Sequence, residues 1–446
     1  MRKILYSISF YFSRWFYAAG AFIIALYICA WFVPGLQQVA SLLLLCLSVL
    51  VFIDILLLFS SKKTINANRE LPPRFSNGDE NKVIIQIENL RPYKIYLSVI
   101  DELPVQFQQR KWKKEISISA NKNAIIEYYL KPTERGEYDF GIINIFLNGP
   151  LQMVVRHIKK GEEDSVAVYP SFLKMRRFQL MAATNQLQES GSRQLRKIGQ
   201  SLEFEQIREY VNGDDYRSIN WKATARKSSL MVNNFMDERS QQVICLIDKG
   251  RTMKMPFDGM SLLDYAINAT LVLSNMVLLK QDKAGMLTFG KTIDQFIPPD
   301  KKTSQLSYIL ETLYKQQTNF NDSDFEALYA TIRYRIKQRS LLILFTNFES
   351  FYGMERQLPY LRQIASHHPL LVVFFENTEL LQLQKNAATS LEAIYQQAIA
   401  NKFALEKRLI VKELQKHGIM SMLTTPQNLT ANTINKYLEL KARQVG

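Results

Sequence analysis

Three cysteines and four histidines are the whole supply of soft and imidazole ligands in this 446-residue chain. Cys29 and Cys46 lie in apolar runs and Cys245 lies in the strand-like QQVICLID. No disulfide framework or zinc spacing can be written from them, and a reducing compartment fits. The histidines exclude as much. His367 and His368 precede LLVVFF, His417 ends a helical stretch, and His157 sits in a β-patterned segment with no partner close in sequence. There is no His-x-x-x-His pair, nucleophile elbow or Cys/His pairing. Acidic residues are also outnumbered: 56 Lys plus Arg stand against 41 Asp plus Glu, a net charge of +15. That balance suits an anionic membrane surface or an acidic partner. No nucleic-acid-binding motif accompanies it, so nucleic acid is not expected as a partner.

What the chain has in quantity is uncharged apolar sequence near its start. Trp15 to Val33 carries no formal charge and Val39 to Phe59 carries only Asp54. Each run matches the roughly 20 residues that a helix needs to cross a bilayer. Pro34, Gly35 and Leu36 to Gln38 read as a tight turn between two transmembrane helices. A cleaved signal peptide has one short apolar core and a small-residue cleavage site, so two consecutive long runs predict a retained hairpin. Arg2, Lys3 and Arg14 before it, with Lys62, Lys63 and Arg69 after it, predict cytoplasmic ends at the inner membrane. Asp54 falls near the inner end of the second helix, roughly 8 Å along its axis. It is expected to face the level of Arg14 and Tyr17 as a structural acid, although an ionisable group at that depth also invites a transport reading.

From Asn66 to about Pro170 the period changes. KVIIQIEN, KIYLSVID, EISISA, AIIEYYL and GIINIFL are short, alternating, and rich in β-branched or aromatic residues. Turn residues separate them, the pattern of an antiparallel sandwich. Around Phe204 the spacing reads as helical: Phe204, Ile207 and Val211 share one face of FEQIREYV. Asn212 and Gly213 suit the end of that helix, and Asp214 or Asp215 suits the cap of a second one carrying Tyr216, Ile219 and Trp221. The plain alternative is a solvated helical hairpin whose Arg and Asp side chains pair locally.

Beyond Gln241, strand candidates at Val243 to Asp248, Gly285 to Phe289, Leu341 to Thr346, Leu370 to Phe375 and Ile419 to Leu423 alternate with helical stretches. This predicts a largely parallel sheet with helices on both faces. Ligands of such sheets lie beyond the carboxyl ends of the strands. GMLTFGKT (Gly285 to Thr292) satisfies the phosphate-loop expression, but its apolar core lies between the glycines, and Pro298 and Pro299 follow where a helix should open. Nucleotide binding is therefore not expected of this chain.

Gly199, Ser201, Glu203, Phe204, Arg208, Glu209, Tyr210, Gly213, Asp214, Asp215, Arg217, Ile219, Asn220, Trp221, Ala225 and Arg226 form a long pattern. It resembles the signature of the bacterial "domain of unknown function 58" family. That resemblance implies an N-terminal membrane hairpin, a β-rich segment, the signature, and a von Willebrand factor A-like domain. It also implies association with MoxR-type AAA+ ATPases, and so an adaptor or co-chaperone role. In such a domain Asp248, Thr252, Thr318 and Asn347 fall where a divalent ion such as Mg²⁺ would be gathered. The pattern departs from the metal-ion-dependent adhesion site. The expected D-x-S-x-S reads Asp248, Lys249, Gly250, Arg251, Thr252, and the last carboxylate is replaced by Asn347. Two added cations and one lost anion weaken the attraction for a dication, with Glu349, Asp322 or Asp324 as substitute ligands.

The combined expectation is a multi-domain chain. A transmembrane helical hairpin occupies 1–63, an all-β immunoglobulin-like sandwich 64–170, the helical signature segment 171–240, and an α/β von Willebrand factor A-like (Rossmann-type) domain 241–446. The expected function is a non-enzymatic, membrane-anchored cytosolic adaptor. Glu203, Arg208, Glu209, Tyr210, Asp214, Asp215, Arg217, Trp221 and Arg226 would present or brace a surface for a MoxR-type AAA+ ATPase, with the client protein unspecified. Alternatives are a Mg²⁺-dependent binding module and a hydrolase using Asp214 and Asp215 as a paired acid and base.

Overall fold

A computed structural model of the chain describes residues 10–33, 35–60, 65–183, 203–211, 214, 216–227, 229–236, 240–318, 321–378 and 390–443. These residues divide into two compact units, Met1–Tyr169 and Pro170–Gly446.

The first unit begins with β1 (Phe10–Phe12) and two apolar helices, α1 (Arg14–Ala30) and α2 (Leu36–Phe59). Leu36 to Gln38 therefore belong to the second helix rather than to the turn. Most large apolar side chains of the two helices are exposed, from Phe22 and Ile24 to Leu45 and Phe52. A hydrocarbon solvent, not water, suits that surface. Leu36–Phe59 is long and apolar enough to cross a membrane; α1 is apolar but shorter. Leu262–Leu279 passes the same length and composition test, yet it is buried inside the second unit as a core helix.

Ten further strands follow: β2 (Asn66–Glu70), β3 (Arg74–Ser76), β4 (Asn81–Glu88), β5 (Ile95–Asp101), β6 (Lys114–Ile118), β7 (Asn123–Leu130), β8 (Gly136–Phe140), β9 (Ile143–Asn148), β10 (Val154–Lys160) and β11 (Asp164–Tyr169). They form sheets ordered β1-β10-β9-β5-β6, β2-β4-β7 and β3-β11-β8. Alternation places Val83, Ile85 and Ile87 of β4 inside while Lys82 and Gln86 face out. Their inward neighbours include Leu97, Ile145 and Phe75, one from each of the other strands β5, β9 and β3, in a single core. His157 has partners after all: Nε2 lies 2.8 Å from Asn144 Oδ1, and the ring stacks on Phe146 at 4.7 Å.

The two helices and the sheets are joined through one loop. Asp54 does not face Arg14. It is fully buried against residues 149–154, where its carboxylate accepts the backbone N–H groups of Leu151 (3.2 Å), Met153 (2.9 Å) and Val154 (3.0 Å). A Cβ at Gly149 would collide with that carboxylate, which explains a residue without a side chain there. The last carbonyls of α2 need donors, and they find guanidinium groups. Arg91 donates to Leu57 O and Leu58 O (3.0 and 2.7 Å), and Arg156 donates to Leu58 O (2.9 Å). Positive charge also complements the helix dipole at this end. The same loop holds the start of α1: Ser13 N donates to Met153 O (3.0 Å), while Ser13 Oγ caps the helix by accepting from Trp15 N (3.1 Å). Arg69, read above as a flanking base, is buried instead and paired with Asp101 at 3.1 Å.

The second unit is built on a six-stranded sheet. Its strands follow a hairpin of β12 (Glu203–Glu209) and β13 (Met231–Met236): β14 (Gln242–Asp248), the short β15 (Pro256–Phe257) and β16 (Met260–Ser261), β17 (Lys283–Phe289), β18 (Ile293–Asp300), β19 (Leu341–Phe345), β20 (Leu370–Phe375) and β21 (Met420–Thr424). The sheet order is β18-β17-β14-β19-β20-β21. All neighbours are parallel except β18, which turns back on β17. Helices α3 (Phe172–Ala183), α4 (Trp221–Lys227), α5 (Leu262–Leu279), α6 (Gln305–Tyr314), α7 (Phe325–Arg335), α8 (Phe351–His367), α9 (Leu391–Lys416) and α10 (Leu429–Ala442) complete the unit. Val243, Cys245 and Ile247 pack with α5, α6 and α10 on one face. Ile244 and Leu246 pack with α7, α8 and α9 on the other. Strand β18 and helix α8 carried no expectation, and Gly285 is a packing residue: a Cβ there would lie 2.9 Å from Ile297 O and Pro299 N.

Replacing Asp54 with Leu leaves three buried N–H groups without their acceptor, at about 1–3 kcal/mol for each such group. Denaturant unfolding of the full chain in detergent micelles should show a large loss for Asp54→Leu and for Gly149→Ala, and a smaller one for Asp54→Asn, which keeps one acceptor oxygen. Unchanged midpoints in all three would show that this contact does not hold the helices to the sheets.

Candidate functional site

Two places in the second unit gather the residues singled out in the sequence. The first is the β12/β13 hairpin. The expected helix over Phe204–Val211 is a strand, because Glu203–Glu209 pairs antiparallel with Met231–Met236, with a bulge between Phe204 and Gln206. The long-range partner supplies backbone hydrogen bonds that local spacing did not reveal, and the bulge breaks the strict alternation by which a strand is recognised.

Arg208 and Asp214 form a bidentate pair, Nη1 to Oδ2 at 2.7 Å and Nη2 to Oδ1 at 2.5 Å. Asp214 also accepts from Val211 N (2.9 Å), so it closes the turn after β12 instead of capping a helix. Its hydrogen bond from Arg208 comes first, and the one from Val211 second, in holding its carboxyl below the usual carboxylate range. The cap is Asn220, whose Oδ1 accepts from Ala223 N at 3.0 Å. Asn220 also receives a bond from its position opposite β13: its N–H donates to Met231 O (2.8 Å), and its Nδ2 lies 2.7 Å from Asn233 Oδ1. Thr224 Oγ1 accepts from Met231 N (3.0 Å), which ties α4 to the hairpin.

On this scaffold Trp221 is 70% exposed, Tyr216 69% and Val211 63%. Arg226 and Glu209 are exposed as well, while Tyr210 is half-buried and donates its N–H to Leu230 O (2.8 Å). Glu203 lies in β12 and Arg217 in a short 3₁₀ turn, Tyr216–Ser218. Asp215 lies outside the described residues, as do Gly213, Gly199 and Ser201.

The second place is the carboxyl edge of the sheet at β14, where the strand order reverses between β17 and β19, the position at which such sheets take ligands. Asp248, Thr252 and Asn347 meet there, lining a cavity of about 700 Å³ together with Ser323, Thr346 and Glu349. Thr318 does not line it. The hydroxyls on Asp248 come from Ser323, which donates to Oδ1, and Thr346, which donates to Oδ2 at 2.6 Å; Gly250 N adds a bond to Oδ1 at 2.8 Å. Burial pushes the Asp248 carboxyl up, against the pull of these three donors. A Cβ at Gly250 would strike Ser323 Oγ.

Lys407, in the middle of α9, reaches this edge and donates to Asn347 Oδ1 (2.8 Å) and to Phe348 O. Burial brings its ammonium down to about 8, opposed by Glu349 and Glu406. Of the substitute ligands, Asp322 pairs with Arg251 at 2.9 Å, Glu349 lies 3.9 Å from the same guanidinium, and Asp324 caps α7 by accepting from Ala327 N. Lys249 is engaged by Asp294. Among the described residues, no group of three or more His, Cys, Asp or Glu side chains is placed to hold a metal ion. The donor set does not fit Mg²⁺: Asp248 Oδ1 already accepts two hydrogen bonds, and the Asn347 oxygen is taken by an ammonium.

Sequence reasoning missed Ser323, Thr346, Asn220 and Lys407. Ser323 carried a faint signal, since it precedes the α7 cap Asp324 in NDSD. Lys407 carried none, being one of several bases along a surface helix.

Residues 206–387 match the family model described as a protein of unknown function, DUF58. This span holds most of the hairpin and the sheet through β20; Lys407 lies beyond it. YeaD, an uncharacterized protein of Bacillus subtilis (strain 168), is 21% identical over 236 residues, covering 51% of this chain and 57% of YeaD. The chain thus matches little more than half the length of that relative. Among solved structures, BatB, a conserved hypothetical protein of Bacteroides thetaiotaomicron, aligns with a TM-score of 0.31 at 13% identity, over 46% of this chain and 100% of BatB. A CARDB domain from Pyrococcus furiosus aligns with a TM-score of 0.18 at 12% identity, over 24% of this chain and 87% of that domain.

The Arg208–Asp214 clamp has a pH signature. Because the Asp214 carboxyl is lowered in the folded chain, its contribution is complete above the ordinary carboxylate value of about 3.9 and fades as pH falls through the lowered one. Asp214→Asn should raise hydrogen exchange at the Val211 and Tyr210 amides at neutral pH. Exchange in the parent should stay slow there until the solution is more acidic than about 3.9. Equal exchange in parent and variant would remove the clamp from the account.

Proposed function

We propose that this chain is a membrane-anchored, non-enzymatic adaptor whose β12/β13 hairpin docks a MoxR-type AAA+ ATPase on the cytoplasmic side of the inner membrane. The observation that carries the reading is the exposure of Trp221, Tyr216 and Val211 on a hairpin tied down from within by Arg208, Asp214 and Asn220. Large aromatic side chains left in water on a braced scaffold suit partner contact, because burying an indole releases much apolar surface at small entropic cost. Arg226 adds a guanidinium suited to a carboxylate of the partner. The expected division of labour is therefore specific: Arg208 and Asp214 brace, while Trp221 and Arg226 present.

The finer fold readings belong to the same proposal. The six-stranded α/β unit is read as von Willebrand factor A-like, supported by its parallel order and by Asp248 at the reversal point. The β-rich unit is read as immunoglobulin-like. The cytoplasmic side is supported by Arg14 at the start of α1 and by the bases at 2, 3, 62 and 63. A hydrolase using Asp214 gains no support from its geometry: the carboxylate is committed to Arg208 and to a backbone amide, which leaves it a poor general base.

The test is pull-down and titration of a purified MoxR-type ATPase with the full chain in nanodiscs. Trp221→Ala should weaken binding by about 30-fold or more, as for a central aromatic contact of about 2 kcal/mol, with the melting temperature unchanged. Arg208→Ala should weaken binding while also raising hydrogen exchange in the hairpin. Binding that is indifferent to Trp221 and Arg226 together would leave the signature a purely structural element, and no binding by the parent chain would refute the adaptor reading itself.

A further inference from the structure

The carboxyl edge of the sheet has the form of an ion site and the charges of something else. Asp248 and Asn347 end the strands on either side of the reversal, as oxygen ligands of a dication would. Yet the one cation seen to be held by these oxygens is the ammonium of Lys407, on Asn347 Oδ1 and Phe348 O. Asn347 is turned to suit it: the amide oxygen faces the ammonium, while Nδ2 lies 3.3 Å from Thr252 O. Lys407 enters from the far side, where it lines a second cavity of about 520 Å³ together with Phe257, Phe375 and Phe403. Asn347 and Glu349 line both cavities.

We propose that Lys407 is the built-in cation of this edge: its ammonium occupies the place of a divalent metal ion, so the site is complete without one and excludes it. Electrostatics gives the reason for exclusion. A fixed unit charge in contact with one of the few available oxygens opposes a dication by several kcal/mol at the dielectric of a partly buried site. The remaining carboxylate, Asp248, has its oxygens satisfied by Ser323, Thr346 and Gly250 N. Tethering also removes the dependence on metal supply that a bound ion imposes. The proposal stands apart from the adaptor reading, since it concerns ion binding by this chain alone.

Isothermal titration of the full chain in micelles with MgCl₂ and MnCl₂ tests it, with Mn²⁺ electron paramagnetic resonance as a second readout. The parent chain should show no saturable site up to about 10 mM, above the range of even weak oxygen-ligand sites. Lys407→Met combined with Asn347→Asp should create a saturable Mn²⁺ site, at least about tenfold tighter than any residual binding to the parent. It should also raise the melting temperature when Mn²⁺ is present. Lys407→Gln, which keeps hydrogen-bond donors for Asn347 and Phe348, serves as the second variant if the double one does not fold, and should show the same gain in weaker form. Saturable binding by the parent chain, or no gain in a folded variant, would overturn the proposal.

Discussion

A carboxylate inside an apolar helix is tolerated only where other groups satisfy it, and the first unit is organised around that requirement. Asp54 finds three backbone N–H groups in the loop between β9 and β10, and in doing so fixes where α2 must end. Arg91 and Arg156 then take the orphan carbonyls of that end, so the helix is closed by the sheets themselves rather than by water. The start of α1 is held by the same loop, through Ser13 and the pairing of β1 with β10. Both helix ends therefore converge on one short stretch of the β-rich unit, and the turn near Gly35 is left at the other end. This is a stiff connection, unlike a flexible linker, because each polar group in it has a specific partner.

The second unit uses charge in two different ways. In the hairpin, opposite charges pair at the surface and shape a turn, while the aromatic side chains beside them stay unpaired in water. At the sheet edge, positive charge is drawn inward to oxygens that a metal would otherwise claim. The chain's excess of basic residues is thus not only a surface property: Lys407, Arg69 and Arg91 are spent inside the fold.

Much of this was legible in the sequence, and the failures have definite causes. The apolar runs and the strands at Val243, Leu341 and Leu370 announce themselves because burial on all sides demands continuous hydrophobic residues. Alternation did the same for Lys82 to Glu88. Phe204 to Val211 misled because a bulged strand and a helix place apolar residues at the same intervals, and only the distant Met231–Met236 decides between them. Asp54 and Arg69 misled for another reason. Sequence shows the charge a residue carries but not the backbone groups that will meet it after folding. Lys407 was invisible by the same logic, since its partners lie some sixty positions away on another strand end.

The claim on which the account rests is that the loop after β9 holds both ends of the hairpin, so that everything following the helices lies on one side of the membrane, the cytoplasm. Cysteine labelling in intact cells tests this directly. With Cys29 and Cys46 replaced by alanine, buried Cys245 can stay, its thiol pushed up to about 12 by burial and therefore unreactive. A membrane-impermeant maleimide should label Gly35→Cys without permeabilisation and Tyr352→Cys only after it. Labelling of Tyr352→Cys in intact cells would contradict the account.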